Sequence, residues 1–264
     1  MRTNYVRHKL KRGEPSIGTW LTIPSTTSAT LMARTGFDWL TVELEHTPIT
    51  LETAAACFSI IAASGKVPLV RVPWNSAENI KRVLDCGAFG VVVPMVNTRA
   101  EAEAVVAAAR YRPIGHRSIG GQLPAANFET DSSTYRAQAN DEILVVVMLE
   151  TAEAVQNADE ILSVPGIDAF FIGPNDLHNS YDKPPVFESD TPEFVNALKS
   201  LLAAGKKHNV PGGIHVIDAA AAQRRIAQGF QFIAITSETG MMLSKAAEIT
   251  KALNLGPSKT AAKY

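Results

Sequence analysis

The chain has 264 residues, 25 lysines and arginines against 26 aspartates and glutamates, and a net charge of -1. That balance gives no general field for attracting nucleic acid or an anionic membrane, and a hydrophobic fraction of 46% is too apolar for a disordered chain. The longest uninterrupted apolar run, Ile143 to Leu149, is far short of the roughly 20 residues of a spanning helix, and the two cysteines, Cys57 and Cys86, have no metal-type spacing. No disulfide framework or zinc-thiolate site is expected, no nucleic-acid or membrane partner either, and the cysteine usage fits a reducing, cytoplasmic compartment.

Residues 1–12 carry Arg2, Arg7, Lys9, Lys11 and Arg12 without an apolar core. They read as a solvated basic lead-in rather than a secretory signal. From residue 13 to 255 short β-branched runs alternate with Ala-rich helical stretches. Strands are expected near Ile17–Leu21, Trp39–Glu43, Pro68–Val72, Gly90–Val93, Leu144–Leu149, Ala169–Ile172, Gly213–Val216 and Phe232–Thr236. Helical spacing of apolar residues fills Ser25–Thr35, Leu51–Ala63, Ala77–Asp85, Arg99–Arg110, Ala152–Ser163, Pro192–His208, Asp218–Gln228 and Thr239–Leu253.

Eight strand–helix pairs in about 250 residues predict a single-domain (β/α)8 TIM barrel. A doubly wound sheet would ordinarily carry a glycine-rich phosphate turn after its first strand, and Trp20-Leu21-Thr22-Ile23-Pro24 is not one. A long segment, 112–141, interrupts the alternation and reads as a functional loop. Residues 256–264 read as a small, polar tail.

Catalytic groups of a barrel gather where strands end. Here Glu43-Leu44-Glu45-His46, Arg71, Glu150, Gly173-Pro174-Asn175-Asp176, His215 and Ser237-Glu238 follow successive apolar runs. Glu150 and Asp176 are hard oxygen donors suited to a divalent ion. Equally, Glu150 can cap a helix and Asp176 can form a turn. His46 is a general-base candidate or an exposed loop histidine. Arg71, ending a buried strand, requires an anion, from substrate or from a nearby carboxylate. Asp85 closes a helix where its charge opposes the dipole, so either solvent or a partner such as His46 compensates it. Trp20 either walls a pocket or packs a loop, and Tyr135 either presents a hydroxyl to substrate or anchors the insert on the barrel.

These residues resemble the HpcH/HpaI aldolase family over roughly residues 13 to 250. The likeness runs through Gly36-Phe37-Asp38-Trp39-Leu40, Glu45-His46, Val70-Arg71-Val72-Pro73 and Leu84-Asp85-Cys86-Gly87-Ala88. It continues through Arg112-Pro113-Ile114-Gly115-His116-Arg117, Leu149-Glu150-Thr151 and Phe171-Ile172-Gly173-Pro174-Asn175-Asp176-Leu177. The resemblance implies a class II pyruvate aldolase cleaving 4-hydroxy-2-oxo acids to pyruvate and an aldehyde. It implies Glu150 and Asp176 as ligands of Mg²⁺ or Mn²⁺, with Co²⁺ also possible. His46 would be the acid/base with Asp85 raising its basicity, Arg71 would stabilise the enolate, and the Asn175 and Asp176 amides would bind the carboxylate. A homo-oligomer, favoured as a hexamer, with the last helix packed on a neighbouring subunit, is implied as well.

Several positions depart from the family pattern. Met148 stands where many members carry glutamine, in a position to contact substrate, and Glu43 stands where aspartate is common. His178 replaces a common serine, and His215 adds a second imidazole near the mouth. Other features resemble macrophomate synthase, a relative that acts on oxaloacetate, so oxaloacetate decarboxylation is the alternative activity. A citrate-lyase-like thioester enzyme and a non-catalytic 2-oxo-acid-binding barrel complete the alternatives.

Overall fold

A computed structural model describes residues 1–255. Eight parallel strands close into one barrel in sequence order. Helix α1 (Tyr5–Lys11) precedes β1 (Ser16–Leu21), followed by α2 (Thr26–Met32), β2 (Trp39–Glu43), α3 (Leu51–Ala63), β3 (Val67–Arg71), α4 (Ala77–Asp85), β4 (Gly90–Val93) and α5 (Arg99–Ala109). The insert contributes α6 (Leu123–Asn127) and α7 (Ser132–Glu142) before β5 (Leu144–Met148), α8 (Ala152–Gln156) and α9 (Ala158–Leu162). Then come β6 (Ala169–Ile172), α10 (Pro174–Asn179), α11 (Pro192–His208), β7 (Gly212–Val216), α12 (Ala219–Ala227), β8 (Phe232–Ser237) and α13 (Glu238–Ala252).

The Val-rich strands β4 and β5 are buried along their whole length, as expected of parallel strands covered on both faces. Side-chain caps define several helix starts: Thr98 and Glu101 form a reciprocal capping box on α5, and Ser76 and Ser237 cap α4 and α13. The helix expected over Ala152–Ser163 is broken in two at Asn157, whose side-chain amide donates to the Asn97 carbonyl at 2.8 Å.

Residues 1–12 are not a solvated lead-in. Val6 and Leu10 on α1 enter the core, and Asn4 is fully buried, donating to the carbonyls of Phe89 (3.1 Å) and Glu142 (3.0 Å). Arg7 reaches Asp168 at 2.7 Å, and Asp168 also receives the buried Arg110 at 2.6 Å and the Val145 amide at 2.9 Å. The first turn's polar groups are therefore anchors at the floor of the barrel. Asp168→Ala leaves two buried guanidiniums short of their anion. We expect it to lower folding stability by about 3–5 kcal/mol, read as a shift of the urea midpoint at unchanged slope.

The insert, expected as a loop, is two short helices. α6 packs beneath α4, where the Asn127 side chain donates to the Gly87 carbonyl at 3.0 Å. The tail 256–264 lies outside the described residues. No helix among the described residues is long and apolar enough to cross a membrane.

β8 closes on β1 with a register shift: Gly18 pairs with Ala234, but Trp20 pairs with Ser237. One additional β8 residue is accommodated there, and Thr236 adopts a left-handed φ of 41°, unusual for a β-branched residue. Bulges of this kind re-aim groups beside functional sites, and this one lies at the carboxyl end of the barrel.

Candidate active site

Parallel register places Glu43 of β2 level with Arg71 of β3. The Arg71 Nε donates to Glu43 Oε2 at 2.5 Å and lies 3.3 Å from Glu45 Oε2. The other Glu43 oxygen accepts the Glu45 amide at 2.6 Å and the His46 amide at 3.2 Å. One buried carboxylate thus fixes both the arginine and the loop that carries His46. The longer glutamate arm suits this double duty. Burial opposes the Arg71 charge, but Glu43, Glu45 and Glu150 outweigh it and hold the guanidinium above its ordinary pKa. The Trp20 ring lies 4.8 Å from the Arg71 Cζ, a cation–π contact, and Met148 Sδ lies 4.0 Å from its Nη1. Trp20 and Met148 are buried and wall this guanidinium.

Glu150 follows β5 and is 2% exposed. One oxygen accepts the Met95 amide at 3.0 Å, with Met95 itself at a left-handed φ of 55°. The other oxygen, Oε2, is buried without a hydrogen-bond partner among the described residues. Burial, reinforced by Asp176 and Glu45 and opposed by Arg71 and the Met95 amide, pushes the Glu150 carboxyl up to about 8. A Cβ on Gly173 would stand 2.3 Å from Oε2, so glycine keeps that space open. Asp176, exposed in the first turn of α10, stands at the next strand end. An orphaned buried carboxylate oxygen, a cradle free of side chain and a second carboxylate form a hard-oxygen donor set that fits a divalent cation. Among the described residues, no cluster of three or more His, Cys, Asp or Glu side chains forms such a site. Two protein carboxylates leave the remaining positions to water and substrate.

His46 is half exposed, and its Nε2 lies 3.6 Å from Glu45 Oε2. The carboxylate beside it is Glu45, whose own pKa is raised by burial against the opposing charges of Arg71 and His46. Asp85 does not pair with His46 within the chain. It receives the buried Arg117 guanidinium of the insert at 2.7 Å. Tyr135 is also placed away from the strand-end cluster, since its hydroxyl accepts from Arg117 at 3.1 Å and its ring packs on Phe128. These contacts tie the Tyr135 ring and hydroxyl to the insert. Glu238 is likewise committed, accepting the amides of Thr22 (2.6 Å) and Ile23 (2.8 Å). His178 turns inward, with Nδ1 bonded to the Pro174 carbonyl at 2.7 Å and its ring stacked on Phe194.

Glu43, read in the sequence only as a strand-end acid longer than the common aspartate, is the residue that ties Arg71 to the His46 loop. Its signal was present: an acid ending one strand and a cation ending the next.

A cavity of about 550 Å³ lies at the opposite, amino-terminal face, lined by Leu10, Asp168, Gly205 and Gln231 among others. The candidate active site is instead assigned to the carboxyl end, where the charged and unpartnered groups converge. The HpcH/HpaI aldolase/citrate lyase pattern matches residues 16–245. The chain belongs to the HpcH/HpaI aldolase/citrate lyase family. A hydroxypyruvate/pyruvate aldolase of Rhizorhabdus wittichii is 36% identical over 250 residues, covering 93% of this chain and 97% of its own. A 4-hydroxy-2-oxo-heptane-1,7-dioate aldolase of Shigella sonnei is 37% identical over 260 residues, 98% of each chain. Among solved structures, an HpcH/HpaI aldolase/citrate lyase family protein from Burkholderia cenocepacia superposes with a TM-score of 0.88 at 31% identity, over 96% of this chain and 100% of that one. Macrophomate synthase shares the fold, with a TM-score of 0.78 at 23% identity, over 94% of this chain and 90% of its own. The family, barrel and aldolase class expected from the sequence therefore stand.

Proposed function

We propose that this chain is a divalent-metal-dependent aldolase that cleaves 4-hydroxy-2-oxo acids to pyruvate and an aldehyde, and that catalyses the reverse addition. The observation that carries this reading is a buried Glu150 oxygen without a hydrogen-bond partner among the described residues, within electrostatic reach of an Arg71 guanidinium pinned by Glu43 and Glu45. Glu150 and Asp176 would hold the ion, Mg²⁺ or Mn²⁺ by donor chemistry, and when bound it supplies Lewis acidity toward a 2-oxo acid.

The remaining steps belong to this chain's side chains. Cleavage leaves negative charge on the pyruvyl keto oxygen, and Arg71 is a preoriented positive charge for that oxygen. Glu43 stops the guanidinium rotating away, and Trp20 covers one face from water. His46, at the rim, takes the 4-hydroxyl proton as the C3–C4 bond breaks and its electron pair passes into the enolate; that proton is lost to solvent, and solvent returns one to C3 to complete pyruvate. The Asn175 and Asp176 amides, in the unbonded first turn of α10, hold the substrate carboxylate. Met148 lines the pocket beside Arg71. Asp85 and Tyr135, tied to Arg117, shape the insert.

α13 exposes Met242, Leu243 and Ile249, and its C-cap Leu253 is exposed as well, which supports a homo-oligomer in which this helix packs on a neighbouring subunit, with a hexamer favoured by the family resemblance. The unpaired Cys57 and Cys86 support a reducing, cytoplasmic location.

The test supplies Mg²⁺ or Mn²⁺, pyruvate and a panel of short aldehydes. The expected result is EDTA-sensitive product formation. Loss of oxaloacetate faster than the metal-only blank, without aldol product, would assign decarboxylation instead. Absence of EDTA-sensitive turnover with every substrate would overturn both.

A further inference from the structure

His215, at the carboxyl end of β7, is used by none of the steps above. Its imidazole lies 5.8 Å from the Trp20 ring and 4.9 Å from the Phe187 ring, which approaches at 83°. Trp20 is the same indole that covers Arg71. A substrate whose keto oxygen sits at Arg71 therefore reaches His215 across the width of one ring system. Nε2 lies 3.3 Å from the Thr236 carbonyl, which can only accept, so Nε2 carries the proton. That carbonyl is aimed by the bulge where β8 closes on β1, at a residue held with positive φ. Nδ1 is then a lone-pair acceptor. It has no hydrogen bond among the described residues, and the residue is only partly buried at the carboxyl end of β7. Burial, and then the nearby Arg71 charge, lower the imidazole's pKa to about 3, which keeps it neutral.

We infer that His215 is a specificity-determining residue that accepts a hydrogen bond from a hydroxyl group of the substrate. A neutral acceptor walled by two aromatic rings offers nothing to a carboxylate and leaves its lone pair unsatisfied beside a methyl group. It suits an uncharged O–H donor. The hydroxyl has two sources, the 2-oxo acid or the aldehyde, and isosteric pairs separate them. This inference rests on the aldolase reading.

The first arm measures Kd by calorimetry, in Mg²⁺, for hydroxypyruvate against 2-oxobutanoate. The second measures kcat/KM for glycolaldehyde against propanal with pyruvate as donor. The wild-type protein should favour the hydroxyl-bearing member by at least about tenfold in one arm. His215→Leu should erase that ratio, and His215→Asn, which retains a side-chain acceptor, should recover part of it. The arm that moves identifies the source. Ratios unchanged by His215→Leu in both arms would overturn the inference while leaving the aldolase reading intact. Failure of the wild-type protein to bind either 2-oxo acid would overturn both.

Discussion

Arg71→Ala is expected to lower kcat/KM for aldol cleavage by about 10²–10³-fold while the Kd for Mn²⁺ changes by no more than a few-fold. The guanidinium would contribute charge where charge develops, and the proposed metal donors, Glu150 and Asp176, follow other strands. Two features make Arg71 hard to replace. Its Nε lies against Glu43 at 2.5 Å and its flat face lies under Trp20, so it is held before substrate arrives. Arg71→Lys keeps the charge but not the fork that meets two carboxylates, and its activity should fall between the two. The alanine variant also strands Glu43, a buried acid, so the folded fraction is to be checked by circular dichroism before rates are compared. Equal losses of turnover and metal affinity would remove Arg71 from charge stabilisation.

Glu150→Gln is expected to abolish measurable Mn²⁺ binding in calorimetry and, in metal-free protein, to raise stability at alkaline pH. The sign follows from linkage. The folded carboxyl titrates at about 8, above its ordinary value of 4.5. Between those values the unfolded chain has lost a proton that the folded chain retains, so stability falls as pH rises through that window. At about 1.4 kcal/mol per pK unit, the cost at pH 8.5 is at most about 5 kcal/mol. Glutamine cannot ionise and lacks this slope. Urea midpoints of metal-free wild type and Glu150→Gln should therefore coincide near pH 4.5 and diverge toward pH 8.5. Saturating Mn²⁺, which binds only the folded wild type, should raise its midpoint at pH 8.5. Parallel profiles across the range would show that Glu150 is not the strained acid described here.

Strand-level organisation was legible because parallel barrel strands are buried on both faces and read as uninterrupted apolar runs, Gly90–Val93 and Leu144–Leu149 being the clearest, the latter one residue longer than the observed strand. Helices with caps and regular apolar spacing were equally plain: Leu51–Ala63, Ala77–Asp85 and Pro192–His208 have the expected limits. The first helix was hidden because Arg7 and Lys9 look solvent-loving, and only their long-range partners Asp168 and Asp38 make them anchors. Arg71, Glu150 and Asp176 could be expected at the mouth because they end or closely follow successive apolar runs. The partner of Asp85 could not, because Arg117 reaches it through an insert whose path no local pattern fixes. The Thr236 bulge was also invisible, since it arises from closing β8 onto β1 rather than from any turn residue.

The proposed chemistry is stabilisation of a pyruvate enolate at these strand ends with the aid of a divalent ion held by carboxylates. Exchange of the pyruvate methyl protons in deuterium oxide, followed by proton NMR, reads that enolate without any choice of aldehyde. Exchange with protein and Mg²⁺ should exceed the Mg²⁺-only blank, stop on addition of EDTA, and be lost in both Arg71→Ala and Glu150→Gln. Exchange no faster than the blank, or undiminished in those two variants, would contradict it.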